Sequence, residues 1–68
     1  MNADVMKGKW LQLKGEVKRQ WSRLTDDDLG QIEGSTENML GKLQERYGIA
    51  RDEAERELNA FLNRHSVA

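Results

Sequence analysis

Several things are missing from this 68-residue chain, and each absence closes off a class of protein. There is no cysteine, so neither a disulfide framework nor a thiolate metal site supports the fold. There is no proline, so nothing rigid interrupts a helix. Aromatic residues are only 6% of the chain. No uninterrupted apolar run reaches the length of a signal-peptide core or a membrane span. The expectation is therefore a cytoplasmic protein without membrane insertion. β-branched residues are few and dispersed, and no segment alternates apolar and polar residues as a half-buried strand does. Helix is the regular structure that remains.

What is present is charge. Charged residues make up 34% of the chain, while the net charge is only -1. Mean hydropathy is -0.88 and the isoelectric point is near 5.8. A composition this polar raises the question of disorder, and the placement of the apolar residues answers it. Met6, Trp10, Leu13, Val17, Trp21 and Leu24 follow one another at steps of three or four. This is the stripe of an amphipathic helix, expected from about residue 3 to 22. Gly8 and Gly15 lie inside it, each costing about 1 kcal/mol relative to alanine. They predict a bend or a place where another backbone comes close.

Three further helices follow from their end signals. Thr25 caps a short helix over about 26–33, with Asp26, Asp27 and Asp28 in the first turn, where the helix dipole favours negative charge. Leu24 and Leu29 flank that cap as a hydrophobic staple. Ser35 or Thr36 caps a helix over about 36–47 with Met39, Leu40, Leu43 and Tyr47 on its apolar face, and Gly48 is its left-handed stop. A last helix over about 51–63 carries Ala54, Leu58, Phe61 and Leu62 on one side. Its charged side is spaced for pairs such as Asp52 with Arg56 and Glu53 with Arg56. The tail from His65 to Ala68 is expected to fray. Trp21-Ser22 with Leu24 to Leu29 aligns faintly with Tyr47-Gly48 and Ile49 to Ala54. Two helical hairpins packed across each other would produce such a repeat. The expected architecture is all-α: one compact four-helix domain over 1–68, with a core of Trp10, Leu13, Val17, Trp21, Leu24, Leu40, Leu43, Tyr47, Leu58 and Phe61.

Candidate sites are weighed against plainer structural roles. Trp10 and Trp21 share one helix face, as a base-stacking platform requires, but Leu13 and Val17 lie between them, so core packing is the expectation. The aspartate run lacks the alternate spacing, glycine and distal glutamate of a calcium loop. His65, the single histidine, has no orienting partner in sequence. No serine or threonine has a histidine in any evident triad arrangement, and no glycine-rich phosphate loop follows a strand. The chain is expected to be no enzyme, with no cofactor, no metal and no small-molecule substrate.

Charge distribution leaves one open candidate. Residues 1–24 carry six basic and two acidic side chains, net +4; residues 25–37 carry five acidic and no basic ones, net -5. Lys7, Lys9, Lys14, Lys18 and Arg19 could meet nucleic-acid phosphates, and Tyr47-Gly48-Ile49 faintly resembles the turn of helix–hairpin–helix DNA binders. The acidic block and the low isoelectric point argue instead for charge complementarity within the molecule. A membrane-surface role for the first helix ranks below both, because its tryptophans are assigned to the core. A monomer is expected.

Taken together, Gly8-Lys9-Trp10 with Gln12, Lys14-Gly15, Val17-Lys18, Gln20-Trp21 and Leu24 to Asp28 resemble the CsbD-like proteins. The likeness continues in the same order through Glu33-Gly34, Gly41 to Gly48 and Glu53-Ala54-Glu55. The resemblance implies a small bacterial protein of the general stress response, with a four-helix, SAM-domain-like two-hairpin fold and no catalytic residues to carry over. One position departs from it: many relatives have Ser or Thr after the glycine–hydrophobic pair, where this chain has Ala50. That predicts a poorly capped last helix, at a cost of about 1 kcal/mol.

Overall fold

A computed structural model describes the backbone of residues 3–65 and the side chains from Met6 to His65. The expected fraying of Ser66 to Ala68 falls outside the described residues. Five helices are present: α1 (Ala3–Gly8), α2 (Trp10–Gln20), α3 (Asp26–Ile32), α4 (Thr36–Tyr47) and α5 (Arg51–Arg64). Among the described residues there is no strand. The Cα radius of gyration is 10.5 Å, close to the roughly 11 Å of a compact chain of this length.

The expected four helices become five because the first one breaks. Lys9 has φ -110° and ψ 12°, outside helical values, and its N–H turns back to Met6 O at 3.2 Å in a tighter loop. The low helix propensity of Gly8 makes this an inexpensive place to break. The deciding contact comes from elsewhere in the chain. Gly34, at φ 81°, lies so close that a methyl group on it would sit 2.7 Å from Lys7 Cα and 3.1 Å from Trp10 Cβ. Gly15, by contrast, continues α2 with open space beside it. The bend is at Gly8–Lys9, and the close approach is made by Gly34. α2 also stops at Gln20, two residues before the expected end, and Trp21 closes it by donating its N–H to Val17 O at 2.8 Å.

The caps follow the local sequence. Thr25 Oγ1 accepts from Asp28 N–H, and Asp28 Oδ2 accepts from Thr25 N–H, both at 3.0 Å, in a complete capping box. Leu24 and Leu29 are buried on either side of it. α3 ends on Glu33 in the left-handed region, at φ 46°, followed by Gly34. Ser35, not Thr36, caps α4 by accepting from Asn38 N–H at 3.3 Å, and Gly48 at φ 64° terminates it. Ala50 has an extended cap backbone but makes no side-chain capping bond to α5.

α4 packs against both α3 and α5, and α1 against α2. One core runs through all five helices: Met6 from α1; Trp10, Leu13 and Val17 from α2; Leu29 and Ile32 from α3; Met39, Leu40 and Leu43 from α4; and Ala54, Leu58, Phe61 and Leu62 from α5, with Trp21 and Leu24 from the connection between α2 and α3. Tyr47, assigned to the core from sequence, is half-buried at its edge beside Ile49. Its ring lies 5.3 Å beneath the Arg23 guanidinium, and its hydroxyl accepts from Arg23 N–H at 3.1 Å. A phenol needs a polar partner for its oxygen, so this one stops at the rim.

Candidate functional site: the basic face of the first two helices

The five basic residues singled out from sequence all lie exposed on α1 and α2 or the turn between them, but they divide into two groups. Lys18 donates to Asp26 at the start of α3, and Arg19 is paired with Glu16 at 2.9 Å. The hydrogen bond and charge of Lys18 hold the Asp26 carboxyl below its ordinary range. These two cations are engaged within the molecule. Lys7, Lys9 and Lys14 form no salt bridge among the described residues, though the charge of Lys14 adds to that of Lys18 in lowering Asp26. All three border a surface groove of about 600 Å³ whose lining includes Leu11, Gly30 and Glu33.

Leu11 is the one large hydrophobic side chain left exposed among the described residues, at 88%. It follows Trp10 directly and so falls off the three-and-four stripe, which turns it outward. Both indoles are buried, Trp10 at 8% and Trp21 at 2% exposure, although Trp10 borders the same groove. Trp21 donates Nε1–H to Glu57 Oε1 at 3.1 Å and packs against Phe61, with ring centroids 5.1 Å apart. Neither presents a face on which a base could stack.

The aspartate run resolves into three environments. Asp26 pairs with Lys18, and Asp27 is exposed and accepts from Gln31 Nε2 at 3.0 Å. Asp28 is buried at 1% exposure and receives a two-pronged hydrogen bond from Arg46 Nε and Nη2, both at 2.9 Å. The Thr25 N–H and the Lys42 ammonium, at 3.4 Å, complete its shell. The Arg46 bonds, then the Thr25 N–H and Lys42, outweigh burial and hold the carboxyl far below the usual carboxylate range. In turn, Asp28 raises the Arg46 guanidinium. A carboxylate so engaged is a poor proton acceptor, and its work is to join α3 to α4. Sequence reasoning put Asp28 at a helix start but missed this network, since the capping pattern Thr25-x-x-Asp28 carries no mark of Arg46 on another helix.

His65 ends α5, its ring 4.4 Å from that of Phe61. Among the described residues no group of three or more His, Asp or Glu side chains could hold a metal ion. No helix there is long and apolar enough to cross a membrane. The ion pairs expected between Asp52 or Glu53 and Arg56 are not formed; the charged side of α5 is paired instead through Arg51, which is hydrogen-bonded to Glu37 at 2.7 Å and lies 3.7 Å from Glu55. Arg51 bridges α5 to α4, and its hydrogen bonds lower the Glu37 carboxyl.

Residues 4–56 match the CsbD-like family model, and the chain belongs to that family. It is 51% identical to the UPF0337 protein YjbJ of Escherichia coli O6:H1 over 65 residues, covering 96% of this chain and 94% of that protein. It is 53% identical to the UPF0337 protein PA4738 of Pseudomonas aeruginosa, covering 94% of this chain and 98% of that one. With the UPF0337 protein XAC4007 of Xanthomonas axonopodis pv. citri the identity is 54%, over 90% and 88% of the two chains.

Proposed function

We propose that this protein is a non-catalytic member of the bacterial stress response that acts in the cytoplasm as a hydrophilic protectant. The helices are proposed to form the SAM-domain-like pair of hairpins. The observation that carries the reading is the division of side chains. The stripe from Met6 to Leu24 is enclosed, Leu11 alone among large hydrophobics of the described residues faces water, and the remaining surface is dense in charges of both signs. Such a surface is strongly hydrated and resists joining an aggregate. It separates unfolding neighbours without offering them an apolar site. The test is light scattering from a heat-labile client protein with this protein present at equimolar amount and in moderate molar excess. Slower aggregation at moderate excess supports the reading. A time course identical to that with an inert protein of equal mass rejects it.

A second reading, a nucleic-acid-binding module, draws support from Lys7, Lys9 and Lys14, which border one groove and form no salt bridge among the described residues. Three phosphate contacts give a salt dependence of about -2.7 in log K against log salt on duplex DNA. Titration of labelled DNA and RNA at about 50 mM salt, where phosphate contacts are little screened, decides it. Absence of binding there removes this reading.

A further inference from the structure

The groove beside Leu11 gathers cations that the molecule itself leaves unused. Lys18, Arg19, Lys42, Arg46 and Arg51 form salt bridges. Arg23 lies over the Tyr47 ring, and Arg64 donates to Gln20. Lys7, Lys9, Lys14 and Arg56 have no such partner among the described residues, and the three lysines line one groove. Leu11 lines it with them, at 88% exposure. A single exposed leucine is ordinary on a protein surface. A leucine sharing a groove with unpaired lysines is an apolar and cationic feature together. Glu33 is the one carboxylate in the lining, so three lysines against one acid leave the groove at net +2.

We propose that this groove attaches the protein to the surface of a bilayer containing anionic lipid, with Leu11 entering the boundary of headgroups and acyl chains and Lys7, Lys9 and Lys14 on the lipid phosphates. The occupant has to be anionic and apolar at once. A nucleic acid answers the lysines but leaves Leu11 in water, and the indoles that would stack on bases are buried. A folded partner would need a pocket shaped to receive Leu11, whereas a bilayer takes in a protruding side chain without a matching shape. A second copy of the chain is not the occupant, because Asp26, Asp28 and Glu37 are engaged within their own chain. The attachment is peripheral, as no helix among the described residues can cross a bilayer. The buried tryptophans take no part in it. One leucine and three lysines make a weak, reversible anchor in which each signal needs the other. The proposal takes the lysines of the nucleic-acid reading but not its ligand, and it does not depend on the protectant reading.

Co-sedimentation of the full, nuclease-treated chain with phosphatidylcholine vesicles, with and without phosphatidylglycerol, tests it. The chain should bind only the vesicles containing phosphatidylglycerol at about 20 mM salt, and leave them at about 500 mM, where headgroup charge is screened. Leu11→Ser should weaken binding at least about tenfold, the loss that goes with an apolar side chain no longer buried. Lys14→Gln should weaken it about fivefold, and Glu33→Gln should strengthen it. Arg56→Gln removes the same charge outside the groove and should change binding far less. All four positions are exposed, and unchanged tryptophan emission without vesicles verifies that each variant is folded. A wild-type chain that ignores phosphatidylglycerol vesicles overturns the proposal, as does one that binds both kinds of vesicle alike. Binding that survives Leu11→Ser, or that falls equally with Arg56→Gln and Lys14→Gln, is attraction by charge alone and also overturns it. So does a chain that takes up DNA or RNA in low salt and leaves the vesicles.

Discussion

At Gly34 and Gly15 the same substitution should have opposite signs. Gly34 combines φ 81° with a neighbouring backbone that leaves no room for a methyl group. Gly34→Ala should therefore cost roughly 2–4 kcal/mol in urea denaturation, through left-handed strain and overpacking against α1. Gly15 is an ordinary helical residue with nothing within 4 Å of the added carbon, so Gly15→Ala should raise stability by about 1 kcal/mol. Equal effects from the two would show that the break at Lys9 is misplaced. Single residues were unevenly legible in the sequence. The outward placement of Leu11 is visible as a departure from the stripe once the steps are counted. The close approach at Gly34 is not, because Gly34 reads first as a helix stop and its partner Lys7 lies on a different helix.

At the scale of elements, caps and ion pairs decide how firmly each helix is held. The cap residue of α5, Ala50, has φ -74° and ψ 160°, an extended backbone already suited to a capping side chain. Ala50→Ser should add about 1 kcal/mol by satisfying a free amide of the first turn, read as a higher denaturation midpoint with an unchanged slope. The junction of α3 with α4 depends on Asp28. Its pKa is lower in the folded than in the unfolded chain, so the folded state binds fewer protons and stability rises with pH through that interval. The contribution is complete above the ordinary carboxylate range and is lost as pH falls through the folded value. Asp28→Asn should lower Tm at pH 7 and reduce the drop in Tm between pH 7 and pH 3. A variant that keeps the full acid-induced drop would locate the pH dependence in other carboxylates. Element ends were largely readable, as Thr25, Ser35 and Gly48 act on their immediate neighbours. The partition of the first stripe into α1 and α2 was not, since the periodicity of Met6 and Trp10 is the same on either side of the break.

For the whole molecule, the sequence stripe becomes one enclosed core under a mixed-charge surface. Ile32 joins that core although the sequence reading did not assign it, because a seven-residue α3 is too short to show a clear period. What was least legible is pairing across the surface. Arg51 pairs with Glu37 across the contact of α4 with α5, which packing sets, as well as with Glu55 one turn along its own helix, whereas the pairs of Asp52 or Glu53 with Arg56 do not form. The same enclosure gives Trp10 its weight: Trp10→Ala removes a large side chain from the contact between α2 and the turn at Gly34, and should cost roughly 3–5 kcal/mol in a domain with little stability to spare. The most direct test of the enclosed core is the fluorescence of the native wild-type chain. Trp10 and Trp21 should emit at short wavelength, resist quenching by acrylamide, and shift to long wavelength only on unfolding. Long-wavelength emission with both indoles freely quenched in the native chain would contradict the account, since the aromatic stripe would then face water.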